Sequence, residues 1–175
     1  MNKIYTILFA LLASFCITEA NAQNSAGTNL NIHLNDIQSI KINESQSNVG
    51  ISLNTSNDYI NGKSILEANH IEIMSSSNYE IRVSAASNLS GEGATIDIGT
   101  VTLTPTQGNI GGESQGSITM SPTALSLTDN TLVQSTSGDI KRSFDIEYHV
   151  SGGNEYLNKP TGTYSTLITY TILMP

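Results

Sequence analysis

Residues 162–175, GTYSTLITYTILMP, indicate the fold class, because from Tyr164 onward every second residue is Tyr, Thr, Ile or Met. Alternation with a period of two is typical of a β-strand that buries one face and exposes the other. The residues predicted to face a core or a groove are Tyr164, Ile168, Tyr170, Ile172 and Met174. Leu167 and Leu173 fall on the outer face, where another segment could cover them. We therefore predict a central or groove-lining strand whose neighbour has to be found elsewhere.

The same alternation recurs along the rest of the chain. It occurs at residues 30–34, 40–42, 49–53, 71–73, 79–83, 96–98, 101–103, 118–120, 125–127 and 144–150. Stretches rich in Ser, Asn and Gly separate these segments, as expected for turns. Many short strands at close spacing predict an all-β sandwich or barrel. A helix is expected only for a turn or two within residues 63–69, Pro105 is expected to end a strand, and residues 107–116 are expected to form a mobile loop.

The N-terminus has the pattern of a secretory signal peptide. Lys3 precedes an uncharged, largely apolar run at residues 4–17, and Ala20 and Ala22 supply the small residues of a cleavage site. The apolar run is short for a membrane span. We predict a signal peptide at residues 1–22, a flexible leader at 23–29 and one β-sandwich domain at 30–175. The protein is then exported to the periplasm, the cell surface or the extracellular space, with no integral membrane segment after cleavage.

Composition narrows the function further. The chain carries 15 acidic against 7 basic residues, a formal net charge of −8, which gives no electrostatic footprint for nucleic acid or an anionic membrane. Its one cysteine, Cys16, lies inside the predicted signal peptide, so the exported domain is expected to lack disulfides and thiol chemistry.

No constellation for catalysis is visible in the sequence. The three histidines, His33, His70 and His149, stand in separate strand contexts, and none has a second metal-ligating residue at a useful spacing. We therefore predict no catalytic residues, no metal site and no cofactor, and interpret the protein as non-enzymatic.

A ligand-binding role is the main alternative from another functional class. Exported β-sandwiches often bind glycans, but the chain has no Trp to act as a stacking platform. Tyr59 and Tyr156, in predicted loops, are the candidate ligand contacts. The competing interpretation is that both tyrosines anchor their loops on the domain.

Three segments resemble a known family. They are residues 29–43 (NLNIHLNDIQSIKIN), residues 68–87 (ANHIEIMSSSNYEIRVSAAS) and residues 144–172, in which a Gly-x-Tyr motif precedes the last strand. Together they are similar to the pilin-type domains of chaperone–usher fimbrial subunits and of spore coat protein U, in particular those that lack a disulfide.

The resemblance implies an immunoglobulin-like antiparallel β-sandwich that lacks one strand, with the gap filled by the N-terminal extension of a neighbouring subunit. Leu30, Ile32 and Leu34 would then be the donor residues, and the last strand would line the groove of the acceptor. The expected partners are copies of the same chain or related surface subunits. The chain departs from the family at Met174, where an aromatic residue is common. Residues 30–34 could equally be the protein's own first strand, which would make the sandwich complete and monomeric.

Overall fold

The computed structural model describes residues 25–110 and 116–175, so the predicted signal peptide lies outside the described residues. The described chain forms these strands: β1 (Gln38–Ile42), β2 (Lys63–Ser75), β3 (Tyr79–Ala85), β4 (Leu89–Gly91), β5 (Ala94–Ile96), β6 (Val101–Ile110), β7 (Ile118–Met120), β8 (Thr123–Ala124), β9 (Asn130–Ser135), β10 (Asp139–Val150) and β11 (Ile168–Leu173). Its helical elements are α1 (Ser56–Asn61) and the 3-10 turns Glu44–Gln46, Ile98–Thr100 and Asn154–Tyr156.

The strands are arranged as two main sheets. In the described residues the first sheet has the order β1-β2-β10-β6-β8, the second has the order β11-β3-β9-β7, and β4 and β5 form a separate hairpin. The paired strands run antiparallel. This arrangement confirms the prediction of an all-β, antiparallel, sandwich-like domain.

The core lies between the two sheets and explains the alternation. Ile71, Phe144 and Ile146 from the first sheet and Ile81 and Leu132 from the second are fully buried in one cluster. Each buried side chain of this size contributes about 1.5–3 kcal/mol through removal of apolar surface from water. Period-two patterning therefore specifies which face of each strand turns inward.

A bulge interrupts the regular pairing of β2 with β10. The register shifts between Phe144 and Ile146, and Asn69 has a positive φ of 51°. Asp145 holds the bulge, because one of its carboxylate oxygens accepts a 2.6 Å hydrogen bond from the Asn69 backbone N–H. As a result the consecutive residues His70 and Ile71 are both buried, which strict alternation would not allow.

The structure corrects the predicted helix. Residues 63–69 belong to β2, and the helix lies just before them at α1. A capping box begins this helix: Thr55 Oγ1 accepts from the Asp58 N–H at 3.1 Å, and the Asp58 carboxylate accepts from the Thr55 N–H at 3.1 Å. The sequence signal for the helix was thus the Thr55 and Asp58 pair rather than the apolar residues that follow.

Pro105 does not end its strand, contrary to the prediction. β6 continues to Ile110, and Pro105 lies opposite Ile146 of β10. On the other side, β8 pairs only with Thr102 and Leu103. Beyond Leu103, β6 is therefore an edge of the described sheet, where a residue without an N–H is tolerated. Of the predicted loop at residues 107–116, positions 107–110 belong to this strand and 111–115 lie outside the described residues.

The last strand was predicted to be central or groove-lining, and its position at the edge of its sheet excludes the central alternative. In the described residues β11 pairs with β3 alone, and β1 occupies an edge of the other sheet. Tyr170 and Ile172 are half-buried against the core, as predicted. Met174 was expected to face the interior but is 44% exposed, because β11 ends at Leu173 and the chain leaves the sheet there.

The chain divides into two units, Met1–Leu34 and Asn35–Pro175. In the first unit, the described residues 25–34 belong to no strand and are exposed. The second unit contains every strand of the described residues. The sandwich therefore begins with β1 at Gln38, and residues 30–34 do not form its first strand.

Candidate assembly groove

A groove of about 710 Å³ opens between two stretches of chain, residues 48–54 and residues 160–168. We call these the first wall and the second wall. Both stretches lie within the second unit, and both connect regular elements without being strands for most of their length. The groove is the candidate functional site because its walls leave backbone and apolar groups without the neighbours that a complete sheet would supply.

The first wall alternates in exposure but has no strand partner. Val49, Ile51 and Leu53 are half-buried, and the residues between them are exposed. Within the described residues, the one hydrogen bond made by the backbone of residues 49–53 is accepted by the Ser52 carbonyl from Lys63 Nζ, at 2.8 Å. The wall therefore presents a row of N–H and C=O groups available for pairing.

The two ends of the first wall are held firmly. At one end Gln46, in the 3-10 turn, donates from Nε2 to the Ala68 carbonyl at 3.0 Å. At the other end the Asn54 N–H donates to the Asp58 carboxylate at 2.8 Å. This bond is the largest cause that lowers the pKa of Asp58, with Thr55 and the nearby Lys63 acting in the same direction. The unpaired backbone is thus held at both ends before any partner arrives.

The second wall is paired on one side only. Ser165 and Ser90 exchange two backbone hydrogen bonds of 3.1 Å, and Ala86 N–H donates to the Leu167 carbonyl at 2.9 Å. Tyr164, Thr166 and Ile168 are half-buried and line the groove. Beyond this wall the chain enters β11, whose one strand partner among the described residues is β3.

The floor of the groove is the hydrophobic core itself. Ile98, Val101 and Leu125 are buried core residues that line the groove, and Tyr148 and Val150 of β10 continue the surface. The described residues that line the groove include no carboxylate and no histidine. The arrangement suits apolar side chains on an extended segment rather than acid–base chemistry.

Both tyrosines predicted as ligand contacts line the groove. Tyr156 is half-buried, and its hydroxyl donates to Thr100 Oγ1 at 2.6 Å; burial raises the pKa of this hydroxyl. Tyr59 lies in α1, and its carbonyl accepts from the Gly153 N–H at 2.7 Å. Tyr156 thus has the contacts of a loop anchor, and a ligand role for either tyrosine stays a prediction.

The predicted donor residues lie in the first unit. Leu30, Ile32 and Leu34 are 83%, 74% and 90% exposed, and no described residue of 25–34 belongs to a strand. Large apolar side chains at this level of exposure, spaced two apart, mark a segment suited to bind another surface. The donor role itself stays a prediction.

The alternation at residues 49–53 is visible in the sequence, but the sequence does not place this stretch in the groove. A paired strand and an unpaired extended wall have the same period of apolar residues, so the period alone does not reveal whether the stretch is paired. The turn formers on both sides of the first wall, which here are a 3-10 turn and a capped helix, were the feature that could have separated the two.

No protein-family model matches the chain, and no curated protein matches it significantly.

Within residues 25–110 and 116–175, no group of three or more His, Cys, Asp or Glu residues could hold a metal ion. In the same residues, no helix combines the length and apolar character needed to cross a membrane.

Proposed function

We propose that the protein is an exported, non-enzymatic structural or surface subunit, similar to a fimbrial subunit, that assembles by β-strand addition. In this proposal the segment at residues 29–35 of one copy binds in the groove of another copy. The observation that carries the proposal is the pair of complementary features in one chain: an unpaired groove and an exposed, alternating, unpaired segment.

The backbone supplies the first part of the fit. The first wall presents N–H and C=O groups of residues 49–53 that lack strand partners, and the segment at 29–35 is equally unpaired among the described residues. An extended segment that adds to a sheet edge gains main-chain hydrogen bonds independent of its side chains. These bonds account for affinity, while the side chains account for selectivity.

The side chains supply the second part. Leu30, Ile32 and Leu34 share one face of an extended chain, and the groove floor is apolar. Burying the three of them contributes roughly 1.5–3 kcal/mol each before the entropy lost on binding is subtracted. The residues on the other face, Asn31 and His33, would remain in water. The segment and the first wall carry no Asp, Glu, Lys or Arg of their own. The charges at the groove are the ammonium groups of Lys159, which lines it, and of Lys63, which is bonded to the Ser52 carbonyl.

Chain connectivity favours a second copy over the same chain. β1 begins at Gln38 beside Ser75 and runs to Ile42, and β1 also approaches β11. The first wall begins only at residue 48, beyond β1 and the turn Glu44–Gln46. Residues 35–37 are therefore too few to bring residues 30–34 of the same chain back along all of β1 and into the groove.

The test is assembly of the mature protein, residues 23–175, followed by size-exclusion chromatography and chemical crosslinking. We expect concentration-dependent oligomers, and we expect Ile32→Asp to reduce them strongly. Asn31→Asp is the matched control, since it adds the same charge one residue away on the outward face, and it should assemble. A strictly monomeric protein at all concentrations, with residues 29–35 protected from protease, would contradict the proposal.

A further inference from the structure

A continuous hydrogen-bonded chain of side chains crosses the interior beside the groove. Gln46 Oε1 lies 3.0 Å from His70 Nδ1, His70 Nε2 lies 2.8 Å from the Tyr148 hydroxyl, and that hydroxyl lies 2.7 Å from the Tyr170 hydroxyl. This hydrogen-bonded series of side chains starts in the turn that precedes the first wall, passes through β2 and β10, and ends on β11. It therefore joins the first sheet to the edge strand of the second sheet.

The groups next to this hydrogen-bonded series of side chains fix the direction of each hydrogen bond. The Ala68 carbonyl can only accept, so the amide nitrogen of Gln46 points to it and the amide oxygen points to His70. His70 Nδ1 must then carry the hydrogen, which leaves Nε2 of a neutral ring to accept from the Tyr148 hydroxyl. The Tyr148 oxygen in turn accepts from Tyr170, whose hydroxyl has Tyr148 as its hydrogen-bond partner among the described residues.

A second proton on His70 is incompatible with this order. Nε2 would become a donor, Tyr148 would have to turn its hydrogen toward Tyr170, and the Tyr170 hydroxyl would lose its acceptor. His70 is 2% exposed, and its ring meets the rings of Tyr148 and Tyr170 edge-on with centroids 5.5 and 5.9 Å apart. A charge on this ring would therefore be buried with no carboxylate hydrogen-bonded to it in the described part of the chain.

Among the described residues, no charged side chain is hydrogen-bonded to the His70 ring, and the neighbouring Asp145 carboxylate of β10 is bonded to the Asn69 backbone N–H instead. Tyr148 from β10 and Tyr170 from β11 are the titratable groups in contact with the ring among the described residues, and Gln46 from the turn is uncharged. Glu67 of β2 acts electrostatically on Tyr148. Burial of the ring lowers the pKa of His70. Burial also raises the pKa of Tyr148, to about 12, and that of Tyr170, so both phenols stay protonated.

We propose that His70 is a proton-sensitive latch: neutral His70 holds β11 and the turn before the first wall in place, and protonation of His70 releases them. The latch is a property of the domain alone. Its effect on assembly rests on the proposed function, because Tyr148 lines the groove and β11 continues the second wall. Mild acid is then expected to loosen the groove and to speed the release of a bound segment.

The first test measures the latch without any partner. Because the pKa of His70 is lower in the folded state, its contribution to stability is complete above about pH 6.5 and is lost as the pH falls through the folded value. NMR titration of the wild-type protein should find the His70 ring still neutral well below about pH 6.5, the ordinary histidine value. Amide exchange of β11 should accelerate on going from pH 7.5 to pH 5 by more than that of β9, after correction for intrinsic rates.

Variants separate His70 from the other histidines. His70→Gln keeps a polar side chain but removes the titration, so the difference between β11 and β9 should no longer depend on pH. His149→Gln is the matched control: His149 also contacts a hydroxyl, Ser64 Oγ at 3.0 Å, and its loss should leave the pH response intact. A His70 ring that titrates at the ordinary value, or a β11 exchange rate that follows β9 at both pH values, would overturn the latch.

The second test uses a synthetic peptide of residues 29–35 with His33 replaced by Gln, so that the peptide does not titrate between pH 5 and 7.5. The probe protein starts at residue 36, which removes its own donor segment but retains the whole of β1. Release of the peptide should be several-fold faster at pH 5 than at pH 7.5 in the wild type and equal at both in His70→Gln. If the peptide binds at no pH, the proposed function is contradicted, while the amide-exchange result for the latch still stands. If the peptide binds but its release from the wild type does not depend on pH, the effect of the latch on the groove is contradicted.

Discussion

Strand β10 and the first wall of the groove carry the same alternating apolar pattern, but they differ in what surrounds them. β10 is paired on both sides, with β2 and β6, and Phe144 and Ile146 are fully buried. Residues 49–53 make no strand pairing among the described residues, and Val49, Ile51 and Leu53 are only half-buried. The comparison teaches that an alternating pattern specifies a face to be buried, while the partner that buries it has to be found in the topology.

The largest effect is expected at the paired centre. Phe144→Ala should lower the free energy of unfolding by about 3–5 kcal/mol, because it leaves a cavity in a fully packed core. Leu66→Ala is the matched control on neighbouring β2, where the side chain is 58% exposed, and should change stability by no more than about 0.5 kcal/mol. Urea unfolding measures both, and similar losses would contradict the assigned faces.

A comparable effect is expected at the buried ion pair within β10, which Tyr79 of β3 contacts through its hydroxyl. Arg142 Nε lies 2.9 Å from Asp139 Oδ2 as an ion pair whose geometry is not that of an aligned hydrogen bond, and the same oxygen accepts from the Tyr79 hydroxyl at 2.8 Å. Asp139→Ala leaves the Arg142 charge buried and should destabilise the fold by about 3–5 kcal/mol. Tyr79→Phe removes one hydrogen bond and should cost about 1 kcal/mol. Equal losses of unfolding free energy for Asp139→Ala and Tyr79→Phe, measured in urea, would show that the Arg142 charge is solvated rather than buried.

The wall of the groove should respond differently before and after assembly. Ile51→Ala should destabilise the isolated domain by roughly 1 kcal/mol, because the side chain is only half-buried there. In the assembled protein the same substitution should also weaken association several-fold, since the proposed occupant covers the side chain. Thermal unfolding of the domain and sedimentation of the oligomer measure the two effects. A loss as large as that of Phe144→Ala in the isolated domain would show that the wall is already fully buried.

The smallest total effect is expected at the end of the first wall, where a loss of domain stability is expected without a further direct loss of association. Thr55→Ala removes the cap of α1 and should cost about 1 kcal/mol in the urea unfolding of the domain. Ser56→Ala, one residue later, is the control and should be close to neutral. Equal unfolding free energies for Thr55→Ala and Ser56→Ala would show that the capping box does not hold this end of the first wall.

Much of the fold could be predicted from the sequence, because period two determines which residues face the core. Ile71, Ile81 and Phe144 are buried as the alternation predicts. The bulge at Asn69 could not be predicted, since it depends on Asp145 from a strand 76 positions away. That bulge turns His70 inward, so the buried hydrogen-bonded chain was invisible in the sequence.

The groove could be predicted only in part. The last strand was expected beside a groove, and Tyr164 and Ile168 line one. The sequence left a central and a groove-lining position open and did not predict the exposure of Met174, because strand order and the end of pairing depend on long-range contacts rather than on local pattern. The first wall was read as another strand for the same reason.

The central claim is that the groove binds residues 29–35 of another copy, and a disulfide trap tests it most directly. Residues 23–175 contain no cysteine, because the one cysteine of the chain is Cys16, so introduced thiols have no competitors in that segment. One copy carries Ile32→Cys, and the other carries Val49→Cys, Ile51→Cys or Leu53→Cys. Neighbouring strands lie close enough for side chains on one face to form a disulfide. The proposal predicts an oxidised heterodimer for at least one of the three pairs and much less with Asn31→Cys as the control donor. Equal yields from the two donors, or no heterodimer from any pair, would contradict it.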